Sequence, residues 1–244
     1  MEVVRERFLP DGSLSTEAME RMQREIAATA VFSGEIDPEA IRSGSAVVAG
    51  IDQAFLDDRA VSAVVCRRGG ETIERTTAVT PLSIPYIPGL LAFREGKPIV
   101  EALCALETDP DLLMFDGSGR IHFREAGVAT HVGVLFDTPA VGVAKSLLCG
   151  TPRESTAGLA EGRRVPIAAD DSMTAADGEI VGYAYQSRQY PNSRRINPLY
   201  VSPGDGLGAA AAVDCVAACG GDYKLPEPIR LADSLAGEAT DRQQ

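Results

Sequence analysis

Between Pro85 and Gly150 the chain gathers side chains suited to chemistry on a phosphate ester. An apolar run, Leu112-Leu113-Met114-Phe115, ends on Asp116-Gly117-Ser118-Gly119. Both histidines, His122 and His131, lie in this stretch, with Lys97 and Lys145. An acid at a strand end, followed by glycines, His122 and Arg124, can present a carboxylate to a metal and hold a phosphate oxygen. Three more acids fall at or near element ends: Asp52 after the apolar run Ala46–Ile51, Glu95 after Phe93-Arg94, and Asp205 in Ser202-Pro203-Gly204-Asp205-Gly206. A hard cation such as Mg²⁺ takes one or two such carboxylates plus water and substrate phosphates. It can then activate water and stabilise a leaving oxygen. Each residue also has a plainer reading. A charge at Asp52 is costly in an apolar strand unless paired or metal-bound, which favours function. Glu95 alone fits a solvated helix face, Asp205 fits a helix N-cap equally well, and His122 competes with a core histidine. His131, in Ala129-Thr130-His131-Val132-Gly133, is expected to be structural.

These groups need a scaffold, and the chain is long enough to supply one. Its 244 residues suit a single α/β domain with a full core. No apolar run is long enough to span a bilayer, and the first residues lack a signal-peptide pattern, so a cytoplasmic monomer without a membrane partner is expected. Five cysteines without a Cys-x-x-Cys spacing read as buried thiols rather than a zinc site. The net charge is −12, and the 23 basic residues comprise 3 Lys and 20 Arg. An acidic chain that nearly avoids lysine suggests adaptation to high salt, where self-repulsion is screened. Overall negative charge argues against nucleic acid unless the charge is locally reversed.

The periodicities place the candidates on elements. Residues 1–14 read as a loose arm and Thr16 to Ala30 as a helix capped by Ser15 or Thr16. Asp37-Pro38-Glu39 starts another helical turn. Ala46–Ile51, Val61–Cys66 and Thr72–Thr80 form an antiparallel three-strand meander, with Arg68-Gly69-Gly70-Glu71 as a hairpin turn. A short helix through Leu91–Glu95, a second from Pro98 to Leu106, and strands Leu112–Phe115 and Ala140–Ala144 follow. Val165–Ala168 with Ile180–Tyr185 reads as a hairpin, Leu199–Val201 as a last strand and Leu207–Ala218 as a helix. The tail, 237–244, is expected to be flexible.

The joint pattern resembles the endonuclease V family, also called deoxyinosine 3′-endonuclease. It is carried by Val48-Ala49-Gly50-Ile51-Asp52, Pro85-Tyr86-Ile87-Pro88-Gly89 with Phe93-Arg94-Glu95, Asp116-Gly117-Ser118-Gly119, His122 and Gly142-Val143-Ala144-Lys145-Ser146. Tyr200-Val201-Ser202-Pro203-Gly204 and Leu225–Ala232 extend it. The resemblance implies an RNase H-like fold, a mixed sheet flanked by helices. It also implies Mg²⁺-dependent hydrolysis, with Mn²⁺ as a substitute, of the second phosphodiester bond 3′ to deoxyinosine. By matching position, Asp52 and Asp116 are metal ligands, Glu95 completes the acidic site and Lys145 steadies charge on the water or phosphate. Tyr86 is the wedge that fills the stack when the base leaves it. The base pocket falls at Gly89, Leu91, Gly117, Val128 and Leu148, where Gly89 and Gly117 could equally be turn glycines.

Two departures from the family pattern stand out. The family usually carries His where this chain has Asp205, which makes Asp205 a fourth ligand of changed type. It usually carries Pro where this chain has Phe123. The stretch 182–200 holds Arg188, Arg194 and Arg195 among tyrosines and no acid; it reads either as a strand-tracking surface or as a solvated loop. An inosine-specific endoribonuclease and a non-catalytic binder of deaminated nucleic acid remain the competing functions.

Overall fold

The computed structural model describes residues 1–82, 84–190 and 196–242. Its helices are α1 (Thr16–Thr29), α2 (Pro38–Ser43), α3 (Leu91–Cys104), α4 (Val128–Phe136), α5 (Ala209–Ala218) and α6 (Glu227–Asp241). The strands are β1 (Val47–Leu56), β2 (Arg59–Arg68), β3 (Glu71–Pro81), β4 (Leu112–Asp116) and β5 (Ala140–Ala144), then β6 (Thr151–Pro152), β7 (Arg164–Ala168), β8 (Ile180–Tyr185) and β9 (Leu199–Asp205). They form one sheet in the order β3-β2-β1-β4-β5-β9-β8-β7-β6. β1 runs antiparallel to β2 and parallel to β4, which runs parallel to β5.

Both faces of the sheet are covered, which is why the central strands read as unbroken apolar runs. Val47, Ala49 and Ile51 pack in one core with residues of α3 and α4. Val48 enters the opposite core with residues of α5 and the start of α6. The meander and its Gly69-Gly70 turn form as the sequence predicts. Asp37 caps α2 by accepting from the Glu39 backbone N–H at 2.9 Å.

Several elements differ from their sequence-based outline. The arm 1–14 is held down: Phe8 is buried, the Val4 N–H donates to the Leu135 carbonyl, and the ring of Pro10 lies against Gly96. His131 Nε2, inside α4, meets the Phe8 carbonyl at 2.7 Å, so this histidine is a structural clamp. The two helices expected either side of Gly96 are one, with Pro98 inside α3. A proline forfeits one backbone bond there, but α3 buries Phe93, Ile99, Ala102 and Leu103 along its length. The tail to Asp241 belongs to α6, with Ala236 and Ala239 buried. α4, buried from Val128 to Phe136 and without a side-chain N-cap, has no polar face for periodicity to pick out; α6 has an apolar stripe at Ile229, Ala232, Ala236 and Ala239, but made largely of alanine. Among the described residues, four of the five cysteines are buried and Cys104 is exposed, all as free thiols. No helix is long and apolar enough to cross a membrane.

Candidate active site

Parallel pairing of β1 with β4 sets Ile51 opposite Phe115, so the next residues, Asp52 and Asp116, end side by side. Asp116 pairs in turn with Val143 of β5, and two residues on, Lys145 places Nζ 2.5 Å from Asp116 Oδ2. Burial is what makes these groups reactive. It pushes the Asp52 carboxyl up to about 8 from 3.8, with the Asp116 charge adding to the effect and the Gln53 N–H, 2.8 Å from Oδ1, opposing it. Glu95, on α3, is pushed up to about 7 by burial, with Arg94 opposing and Asp116 adding. Burial lowers Lys145, but the hydrogen bond and charge of Asp116 outweigh it and leave the ammonium above its ordinary range.

A further acid joins this cluster from α6. The Asp233 side chain stands next to that of Asp52 and helps to raise its carboxyl, and its charge acts on Lys145. The approach of α6 depends on Gly50: a Cβ there would lie 2.1 Å from the Pro228 carbonyl carbon. Asp233 follows directly on the motif Leu225–Ala232, one helical turn after the buried Ile229.

Asp205 does not belong to the cluster. It pairs with Ala140 at the start of β5, whereas Asp116 pairs with Val143, a separation of about 10 Å along the strand. Its Oδ1 accepts the Val31 N–H at 2.7 Å. It is not an N-cap either, since Gly208 occupies that position of α5. Asp205 anchors the segment after α1.

The neighbouring recess, of about 100 Å³, is lined by Gly89, Leu91, Val128 and Leu148 with Gln23, Ser118 and His122. Gly117 lies behind Val128, with room for no Cβ, which would stand 2.7 Å from Val128 Cγ1. Tyr86, 64% exposed, stands at the rim. Gly89 holds φ at +81°, a left-handed turn in which its carbonyl is fixed by two donors. Gln23 Nε2 donates to that carbonyl at 2.7 Å, and His122 Nε2 lies 3.1 Å from it. His122 Nδ1 accepts the Arg124 N–H at 3.2 Å, so Nε2 carries the ring proton.

His122 and Arg124, expected from the sequence at a phosphate, are engaged here with the recess wall. His122 is buried and its pKa falls to about 4, through burial first and the Arg124 charge second. A neutral ring with both nitrogens engaged holds the recess wall. Arg124 Nε donates to Gln23 Oε1 at 2.7 Å, and its Nη1 lies 3.3 Å from Glu20. Gln23 was not legible in the sequence, being one polar residue among many on α1. The basic stretch is only partly described: Arg188 pairs with Glu161 and Asp222, while Arg194 and Arg195 lie outside the described residues.

Among the described residues, no three His, Cys, Asp or Glu side chains stand ready as a metal cage. The three aspartates instead surround the Lys145 ammonium. The donor set still fits a hard cation: it is all oxygen, its innermost member Asp52 is buried, and the raised Asp52 carboxyl marks a site short of positive charge. Asp52, Asp116 and Asp233 would hold such an ion, with Glu95 beside them.

Known proteins resemble this chain over nearly its whole length. Residues 30–234 match the family model described as Endonuclease V. The endonuclease V of the halophilic archaeon Natronomonas pharaonis is 70% identical over 240 residues, covering 98% of this chain and 97% of that protein. The Bacillus subtilis endonuclease V crystal structure superposes with a TM-score of 0.85 at 27% identity, covering 100% of this chain and 99% of that one. A Ciona intestinalis endonuclease V, solved with a 24mer DNA containing an inosine followed by a ribo-adenosine, gives a TM-score of 0.76 at 25% identity over 93% of this chain and 98% of the other. The chain belongs to the endonuclease V family and is a nuclease acting on phosphodiester bonds.

Proposed function

We propose that this chain is a metal-dependent repair endonuclease that hydrolyses the second phosphodiester bond 3′ to deoxyinosine, leaving 3′-hydroxyl and 5′-phosphate ends. The carrying observation is the adjacency of a base-sized recess to a lysine and three aspartates, of which Asp52 is buried, Asp116 half-buried and Asp233 exposed. A divalent cation, Mg²⁺ or Mn²⁺, would supply water activation and charge neutralisation at the leaving oxygen. The chain's own residues do the rest. Asp52, Asp116 and Asp233 would hold the ion, and Glu95, whose carboxyl burial raises to about 7 in the metal-free chain, stands beside them to hold or move a proton. Lys145, which starts on Asp116, is a mobile cation able to follow negative charge onto the phosphate.

Recognition is assigned to the recess and its rim. A base turned out of the stack enters against Gly89, Leu91, Val128 and Leu148, with Gly117 behind, while Gln23, His122 and Arg124 keep the Gly89 turn in place. Tyr86, between Pro85 and Ile87-Pro88, fills the space the base leaves. The test is an inosine-bearing oligonucleotide incubated with Mg²⁺ in high KCl, in DNA and RNA versions, read for the position of the nick. We expect one nick, one nucleotide beyond the inosine's own 3′ linkage, lost in Asp116→Ala. A chain that binds without nicking, or an undiminished nick in Asp116→Ala, would overturn the reading.

A further inference from the structure

Phe55 is an aromatic side chain near the end of β1, 43% exposed. A single exposed apolar residue is ordinary, but the surroundings of this one are not. It lies three residues, about 10 Å, beyond Asp52 on the same strand. The Arg94 guanidinium stacks on its ring, with Cζ 4.8 Å from the centroid. Arg94 is itself held at the acids: its Nη1 is 3.9 Å from Glu95 Oε1, and its Nε is buried with no hydrogen-bond partner among the described residues. The same helix, α3, contributes Leu91 and Ala92 to the recess wall. In order along α3 stand the recess, the Arg94 stack and Glu95. Leu91, Ala92, Arg94 and Glu95 fall within about one turn of α3, so a strand whose base sits in the recess and whose backbone reaches the acids runs beside Arg94 and the Phe55 ring that it stacks on.

We propose that Phe55, backed by Arg94, is a stacking subsite for a nucleotide of the cleaved strand on the 3′ side of the flipped base. Arg94 covers one face of the ring, and the exposed surface of Phe55 offers the other to a base. The subsite would fix the strand's path so that the correct linkage, and not its neighbour, lies over the acids. The proposal rests on the nuclease reading above but assigns a residue that reading does not use.

The test is a double-perturbation cycle. Binding of a labelled single-inosine strand is measured with Ca²⁺ in place of Mg²⁺, and the nick is mapped with Mg²⁺. Each nucleotide 3′ of the inosine is made abasic in turn. Phe55→Ala should weaken binding of the intact strand by about 5- to 150-fold, the range for stacking of one base. At one position the abasic strand should lose a similar factor with the wild-type chain and under about twofold with Phe55→Ala. Phe55→Trp should keep wild-type binding, and thermal melts should show all three chains folded. Equal abasic losses in both backgrounds at every position, or unchanged binding by Phe55→Ala, would overturn the subsite. A wild-type chain that never nicks the strand would instead overturn the nuclease reading, so the two failures are distinguishable.

Discussion

The side chain of Asp233, in the last helix, stands next to that of Asp52, in the first strand, and adds to the rise of the Asp52 carboxyl. A proton kept on Asp52 relieves the repulsion between neighbouring carboxylates, which accords with its raised carboxyl. Sequence ends 181 residues apart thus meet over one site, and Gly50 is the position that permits it. A prediction follows that separates this acid from the one the sequence favoured. Asp233→Ala should cut cleavage by at least about 10- to 100-fold, as loss of a metal partner group does. Asp205→Ala should cleave at the wild-type rate but melt earlier, because the Val31 N–H loses its acceptor at a cost of about 1–3 kcal/mol. Cleavage rates and melting temperatures of the two variants check this. Loss of activity in Asp205→Ala without loss of stability would contradict the assignment.

Without divalent cation, stability should fall as pH rises from about 6.5 to 8. Asp52 is raised from 3.8 to about 8 and Glu95 from 4.5 to about 7. In this window the folded chain holds protons that the unfolded chain has lost, so raising the pH favours unfolding. The two buried histidines, lowered from 6.5 to about 4, act in the opposite sense, and only below 6.5. A divalent cation should flatten the slope by stabilising the ionised acids, and Asp52→Asn should flatten it without one. Thermal melts at fixed KCl, with EDTA or Mg²⁺, measure both. A slope unaffected by either change would contradict the electrostatics assigned to the site.

What the sequence made legible was the strand chemistry. An acid after an unbroken apolar run, as at Asp52 and Asp116, has a local signature because the run announces burial. Asp233 has none: in Leu231-Ala232-Asp233-Ser234 it looks like any solvated helix residue, and its role appears only when α6 is laid on Gly50. Gln23 is hidden for the same reason. His122 and Arg124 were legible as members of the site but not in their roles. Their types suit phosphate, and only the bonds to Gly89, Gln23 and the Arg124 N–H show that both His122 nitrogens and Arg124 Nε are already engaged. Pro98 misled because a local rule about helix starts gave way to the apolar face that α3 buries on both sides of it.

The chain Arg124–Gln23–Gly89 predicts how recognition fails without loss of chemistry. Gln23→Ala removes a donor from the Gly89 carbonyl and an acceptor from Arg124 Nε at once. Arg124 Nε left unpaired costs about 1–3 kcal/mol, and with His122 Nε2 as its remaining side-chain donor the Gly89 turn that forms the recess wall should loosen. Preference for inosine over adenine at the same position should therefore shrink, through a rise in KM for the inosine strand, while Mg²⁺ affinity stays as in the wild type. Competition between inosine and adenine strands gives the first quantity and metal titration the second. A variant with unchanged preference would show that Gly89 does not need this support.

Lys145 permits the sharpest separation of binding from turnover. Its ammonium occupies an oxygen of Asp116 and its side chain is 54% exposed, so the ion pair contributes at most about 1 kcal/mol to stability. Lys145→Ala should therefore fold normally. It should also free Asp116 Oδ2, so affinity for a divalent cation is retained or tightened. Cleavage should nevertheless slow by about tenfold or more, because the mobile positive charge for the phosphate is gone. Single-turnover rates at saturating Mg²⁺ isolate that loss from metal binding. If slow cleavage were rescued simply by more Mg²⁺, Lys145 would be a spacer for the acids rather than a participant in the reaction.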